Sequence, residues 1–331
     1  MKIAIVKLSA MGDIIHAMTA LQYLKAVNPH IQIDWITEEV FAPILEYNPD
    51  IDTILPVNLK GLKKRRSQFF IEVKKIRTYA KNNYDLVVDV QGLLKSSVVS
   101  RIIGKTVGFD AQSSREPIAS LFYSKCFQIP YEMNVIERNI KLILQAIGSS
   151  DKGIDLMTKK PFLFFAESER KNILHFLKKR GAHIVHFLGS SWESKVYPKE
   201  KFLQVIQGLE GNHLLVWGSE EEKESAEYIA SRSNAEVVPR LTLGELKALI
   251  SSADLVIGGD SGPTHMAWAL NRPSIMLFGP TLATRSTLQT TINRVVDCGK
   301  EIDPKNIDKK DFCIGNIPAE KVISLAKELG V

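Results

Sequence analysis

Ile3-Ala4-Ile5-Val6 runs into Lys7-Leu8-Ser9-Ala10-Met11-Gly12-Asp13-Ile14-Ile15-His16, and the reading of the fold turns on this stretch. The four apolar residues have the length and β-branched content of a buried strand. Beyond Gly12, apolar Ile14, Met18, Leu21 and Leu24 recur at helical spacing until Asn28-Pro29 ends the pattern. New apolar runs follow at residues 31–36 and 86–90, the latter Leu86-Val87-Val88-Asp89-Val90. Strand, helix and strand in succession predict parallel βαβ units. A second series of strand-like runs occupies residues 183–188, 214–217, 255–257 and 274–278. Between the two series, residues 148–161 are rich in turn formers and charge, as linkers are. Two α/β domains are expected, residues 1–155 and 156–331.

The composition agrees with an ordinary globular protein. Of 331 residues, 45% are apolar and 24% charged, which excludes disordered and collagen-like classes. Three cysteines, Cys126, Cys298 and Cys313, are too few and too scattered for a disulfide framework, so a reducing, cytoplasmic compartment is expected. The apolar stretch before Lys7 is too short for a signal peptide, and no run approaches the roughly 18 residues of a membrane span. The net charge of +6 is concentrated: residues 60–81 hold nine Lys or Arg against one acid, Glu72. Such a patch calls for an anionic partner that meets one region of the molecule. Phe69, Val73, Ile76 and Ala80 fall on one face of the helix predicted there, leaving its cations for phosphate or an anionic membrane surface. Few aromatics interleave the charges, which disfavours nucleic acid; a simply solvated basic face is the plain alternative.

Ligands of open α/β sheets sit beyond the carboxyl ends of the strands, so the strand-to-helix turns are where chemistry is sought. In the first turn Asp13 stands where a carboxylate takes a proton, or where it caps the helix, and spacing alone favours neither. His16 reads as a helix-face residue. The turn Gly258-Gly259-Asp260-Ser261-Gly262-Pro263-Thr264-His265 follows a strand, and its glycines, its Pro suited to a first helical turn and its backbone N–H groups form a diphosphate seat. A third cluster, Ser190-Ser191-Trp192-Glu193-Ser194-Lys195, supplies hydroxyls and an ammonium able to neutralise a departing phosphate. Glu220-Glu221-Glu222 offers carboxylates for sugar hydroxyls, or merely an acidic helix start.

Other motifs fail on context. Gly259-Asp260-Ser261-Gly262-Pro263 looks like the nucleophile segment of trypsin-like proteases but lies in a cysteine-poor α/β chain. Gly104-Lys105-Thr106 lacks the earlier glycine of a P-loop, and no GxGxxG occurs. Asp50-Ile51-Asp52 has the DxD form used for divalent cations but reads as a turn before a strand. The histidines and cysteines have no metal-ligand spacing, so no metal site and no cofactor are expected.

Together the segments Lys7 through His16, Asp89-Val90-Gln91-Gly92-Leu93-Leu94-Lys95-Ser96, Ser114 through Tyr123 and Gly259 through His265 resemble the bacterial lipopolysaccharide heptosyltransferases of glycosyltransferase family 9. Arg115-Glu116-Pro117 and Gln91-Gly92 lie nearer the type I branch. The resemblance implies a GT-B fold: two Rossmann-like domains with parallel sheets facing a central cleft, acceptor on the first, nucleotide sugar on the second. It implies inverting, metal-independent transfer of L-glycero-D-manno-heptose from ADP-heptose to the Kdo of Kdo2-lipid A, at the inner face of the inner membrane. By position, Asp13 matches the family's general base and Lys195 the group facing the leaving diphosphate. Ser190, Ser191, Ser261, Gly262, Thr264 and His265 match donor phosphate contacts, Asp260 and Glu222 the donor sugar and ribose, and Leu241 a backbone contact to adenine. Ser9, Gly12, Lys60, Lys64, Arg65, Arg66, Arg115 and Arg138 match the acceptor side. The family's last helix often crosses back to the first domain, as residues 319–329 would here. A type II heptosyltransferase or related core transferase with another acceptor, or a GT-B sugar-nucleotide epimerase, is the competing reading.

Overall fold

The computed structural model describes residues 1–62, 69–150, 155–177 and 180–331. The chain forms two compact units, Met1–Lys159 and Lys160–Val331. In the first, β1 (Lys2–Val6), β2 (Gln32–Glu38), β3 (Thr53–Val57), β4 (Leu86–Asp89), β5 (Thr106–Phe109) and β6 (Lys125–Phe127) are ordered β3-β2-β1-β4-β5-β6. In the second, β7 (His183–Phe187), β8 (Asn212–Val216), β9 (Glu236–Val237), β10 (Leu255–Gly259), β11 (Ser274–Phe278) and β12 (Asn293–Asp297) are ordered β12-β11-β10-β7-β8-β9. All strand pairs are parallel. Counted from its own first strand, each sheet has the same order, that of a Rossmann fold.

Central strands are apolar because helices cover both faces. In the first unit Ala4, Val6, Ile36 and Val87 pack with Val99 and Ile103 of the helix Leu94–Ile103. In the second, Ile184, Leu215, Leu255, Ile257 and Leu277 pack with Ala319, Val322 and Ala326 of the helix Ala319–Glu328. The last helix thus has its buried face in the second unit's core. The Asp50–Asp52 stretch is a turn into β3: the Asp52 carboxylate accepts the Ile33 N–H at 2.7 Å. Four strands gave no sequence signal, namely Thr106–Phe109, Lys125–Phe127, Glu236–Val237 and Asn293–Asp297. β6 and β9 are short and only partly buried, so nothing forces an apolar run upon them.

Two expectations are corrected. The helix Phe69–Tyr79 buries Glu72 and Ile76, whereas Phe69, Phe70 and Ile71 are exposed. Polar anchors turn it: the Glu72 carboxylate accepts the Asn58 N–H at 2.8 Å and the Tyr79 hydroxyl donates to the Pro56 carbonyl at 2.7 Å. Cys298 and Cys313, read as unpaired, form a disulfide with Cα atoms 5.7 Å apart, because the chain after β12 returns to the turn Cys313–Asn316.

β7 and β8 place His186 beside His213 in the second core. His213 Nε2 donates to the Leu209 carbonyl at 3.2 Å, so its Nδ1 accepts from His186 Nε2, 2.9 Å away. Both rings are neutral in this arrangement. Burial, reinforced by His213, holds His186 well below its ordinary value, and burial lowers His213 as well. An unfolded chain takes up protons on both as pH falls through about 6.5, while the folded chain resists. Stability is therefore full above pH ~6.5 and declines below it, by up to about 1.4 kcal/mol per pH unit for each histidine kept neutral. Melting temperatures from pH 7.5 to 5.0 check this, and His186→Leu with His213→Leu should flatten the profile.

Candidate active site

In each sheet the connections leave the first and fourth strands in opposite directions, which opens a crevice beyond their carboxyl ends. Both crevices hold a buried aspartate.

In the first unit Asp89, the last residue of β4, is fully buried. Its carboxylate accepts N–H bonds from Gln91 at 2.9 Å and Gly92 at 3.3 Å, and hydroxyl bonds from Ser96 and Tyr123, both at 2.8 Å. Burial outweighs these four neutral donors and pushes the carboxyl up. The loop so fixed presents the Gln91 side-chain oxygen, which accepts the N–H groups of Leu8 at 3.0 Å and Ser9 at 3.1 Å. Lys95 donates to the Ser9 hydroxyl at 3.2 Å. Gln91 thereby stitches the turn after β4 to the turn carrying Asp13, at the start of the helix Met11–Met18.

Asp13 caps this helix: its Oδ2 accepts the Ala10 N–H at 3.2 Å. Capping and proton transfer are therefore compatible, since one oxygen holds the backbone and Oδ1 has no partner among the described residues. Gly12 lies beside it, and His16 is buried on the helix.

Arg115 is exposed. Arg138 is 5% exposed: its guanidinium donates to the Ser113 carbonyl at 2.5 Å and lies over the rings of Phe109 and Tyr131. It holds the loop that leads into Arg115, a buried place that composition did not signal. Lys60 belongs to the helix Leu59–Leu62, and Lys64, Arg65 and Arg66 lie outside the described residues.

In the second unit Asp260, directly after β10, is 8% exposed. Lys195 Nζ lies 2.6 Å from its Oδ2, Thr281 donates to the same oxygen at 2.7 Å, and His265 Nε2 is 3.1 Å from Oδ1. Burial alone would raise this carboxyl, but the His265 bond and the Lys195 charge hold it well below the usual range. The Ser190 hydroxyl donates to the Asp260 carbonyl at 3.2 Å, joining the turn after β7 to that after β10. Ser261 is the N-cap of the helix Gly262–Ala269, with its hydroxyl 3.2 Å from that of Thr264. The closeness of the two turns needs glycine, because a Cβ on Gly259 would stand 2.7 Å from the Lys195 carbonyl.

Glu222 lies in the first turn of the helix Glu220–Ala230. Its carboxylate accepts the Gly218 N–H at 2.6 Å and covers Gly189, where a Cβ would collide with it. Ser191 is exposed, and half-buried Leu241 precedes Thr242, the N-cap of the helix Leu243–Ser252. The structure thus gathers Ser190, Lys195, Asp260, Ser261, Thr264 and His265 in one place, with Glu222 on Gly189 at the end of β7. Thr281 and Gln91 were missed as site residues. Thr281 follows the turn after β11, where the strand-end rule would have found it; Gln91 stood in a recognised segment but had no role. Among the described residues no group of three His, Cys, Asp or Glu is arranged for a metal.

Glycosyltransferase family 9 (heptosyltransferase) matches residues 73–311. Lipopolysaccharide heptosyltransferase 1 of Campylobacter coli is 39% identical over 99% of both chains. The chain belongs to glycosyltransferase family 9. Lipopolysaccharide heptosyltransferase 1 of Escherichia coli K12 is 31% identical over 85% of this chain and 88% of its own. The solved E. coli heptosyltransferase WaaC with ADP-2-deoxy-2-fluoro heptose superposes with a TM-score of 0.79 at 27% identity, over 99% of each chain. A family 9 glycosyl transferase of Veillonella parvula, with a TM-score of 0.82 at 21% identity over 99% of this chain and 96% of its own, shares the fold. This family 9 chain is a glycosyltransferase of GT-B type, built from two Rossmann-like units. Membership in the family decides against the epimerase reading.

Removing the Asp260 carboxylate strands a largely buried ammonium and two further donors. Asp260→Ala is expected to destabilise the second unit by about 3 kcal/mol, and Asp260→Asn by less, since the amide oxygen still accepts. Chemical denaturation followed by tryptophan fluorescence checks both.

Proposed function

We propose that this family 9 chain transfers L-glycero-D-manno-heptose from ADP-heptose to the Kdo of Kdo2-lipid A, with inversion and without a metal, in lipopolysaccharide core synthesis. The observation that carries the reading is the Lys195–Asp260 pair at the start of the helix Gly262–Ala269, in a chain 39% identical from end to end to a lipopolysaccharide heptosyltransferase 1.

The second unit holds the donor. Backbone N–H groups at the helix start and the hydroxyls of Ser190, Ser191, Ser261 and Thr264 take the diphosphate, Glu222 and Asp260 the sugar hydroxyls, and the backbone at Leu241 the adenine. One of the three ammonium protons of Lys195 is engaged by Asp260; the others are left to meet the departing phosphate. The first unit holds the acceptor. Asp13 Oδ1 accepts the proton of the Kdo hydroxyl as its oxygen attacks the anomeric carbon from the face opposite ADP. A carbon–oxygen bond forms to Kdo, the bond to ADP breaks, and ADP leaves with the electron pair. Ser9 and Gly12 border this base, Lys60, Lys64, Arg65, Arg66 and Arg115 meet the acceptor's carboxylates and phosphates, and Arg138 keeps the Arg115 loop in place.

A lipid acceptor places the protein on the inner face of the inner membrane, as a peripheral cytoplasmic enzyme without nucleic-acid partners. Among the described residues no helix is long and apolar enough to cross a membrane. Support for peripheral binding comes from exposed apolar side chains set among cations. Leu94, Val98, Ile118 and Leu121 lie on the mutually packed helix Leu94–Ile103 and turn Pro117–Phe122, beside exposed Lys95 and Arg115; Phe69, Phe70 and Ile71 lead the basic helix.

The experiment is release of ADP from ADP-heptose in EDTA, with and without Kdo2-lipid A. Release that requires the acceptor is expected; release without it, or none with it, overturns the proposal. Asp13→Ala should bind ADP-heptose normally and lose about 100- to 10,000-fold in kcat, whereas near-normal turnover would remove Asp13 from its role. Asp13→Asn, which still caps the helix, separates the chemical loss from any loss of fold.

A further inference from the structure

Trp192 stands in the turn between β7 and Lys195, and its ring gathers two ammonium groups. Lys195 Nζ lies 4.7 Å from the ring centroid, and Lys309 Nζ lies 4.7 Å from the same centroid. Lys195 has Asp260 as counter-charge, whereas Lys309, exposed to solvent, has no carboxylate within ion-pair distance among the described residues. Two like charges on one ring repel, and the π face offsets only part of that at an exposed site. The Lys309 charge is therefore left open to an anionic ligand.

Lys309 is not held there by chance of a loose loop. The segment that carries it, residues 299–312, is closed at its ends by the Cys298–Cys313 disulfide. Inside it, Lys300 Nζ donates to both carboxylate oxygens of Asp311, at 2.9 and 2.8 Å, and Asp311 accepts the Cys313 N–H at 3.1 Å. The turn that follows is pressed on the donor turn: a Cβ on Gly279 would stand 2.8 Å from Ile314 Cβ and 3.0 Å from the Ser194 carbonyl. The loop and the Lys195 turn are therefore positioned against each other through Gly279.

We propose that Lys309 is a second cationic donor-binding residue, seated on Trp192 beside Lys195 and contributing its charge to the diphosphate of the nucleotide sugar. This rests on the reading of the second unit as the donor site. Lys309 does not replace Lys195 at the leaving oxygen; it adds affinity for the phosphates, so its loss falls on donor KM and not on kcat.

The test is calorimetric titration of ADP and of adenosine into the full chain and its variants. Lys309→Met, an exposed substitution that leaves the fold intact, should weaken ADP about tenfold and leave adenosine unchanged. Lys309→Arg should recover most of the loss, and Trp192→Leu should reproduce it. ADP binding by Lys309→Met should also depend less on salt than binding by the parent. An unchanged ADP affinity in Lys309→Met overturns the proposal, as does an equal loss for ADP and adenosine, which would make the lysine a loop support only. If the parent chain itself binds ADP no better than adenosine, the donor-site reading falls and takes this inference with it.

Discussion

Everything of chemical interest depends on a constraint of chain path. In both sheets the first and fourth strands are neighbours, and the chain leaves them toward opposite edges. Helices cannot cover the point where the paths diverge, so the backbone there has to satisfy itself through side chains. Gln91 does this in the first unit and Ser190 in the second, where Lys195 adds an ion pair to the Asp260 side chain.

Two aspartates in equivalent places show how the partners, more than the burial, decide charge. Asp89 is surrounded by amides and hydroxyls, and burial pushes its carboxyl up; Asp260 meets an ammonium and an imidazole and is held down. The first is a structural hub whose neighbours fix a loop. The second is a lasting negative charge that orients Lys195 and, through Thr281, reaches the turn after β11. The neutral network leaves no fixed charge at the end of β4, whereas the ion pair keeps one at the end of β10.

The central strands were legible because burial on both faces writes continuous apolar runs, as at residues 3–6 and 255–257. Edge strands such as Glu236–Val237 were silent because they satisfy backbone bonds without needing apolar side chains. The turns holding Asp13 and Asp260 could be located by their glycines and by position after a strand. Lys195 and His265 were named as candidates too, but not their pairing with Asp260: Lys195 and Asp260 are 65 residues apart, and only the sheet order makes them neighbours. The helix Phe69–Tyr79 misled because periodicity weighs apolarity alone, while Glu72, counted only as the one acid among the cations, is a buried anchor. The pairing of Cys298 with Cys313 was illegible for the same reason, since spacing says nothing about where a loop returns.

The strand order also bears on how this chain is born. A ribosome delivers β1, β2 and β3 in turn, and they pair toward one edge only. Until residues 86–89 emerge, the other side of β1 carries bare amides and carbonyls on an apolar strand, and β7 waits in the same condition for residues 255–259. Such an edge is a template for any extended segment nearby. The strand that completes each crevice is thus also the one that covers the open side of its sheet's first strand, and it is the fourth of six to arrive in both halves.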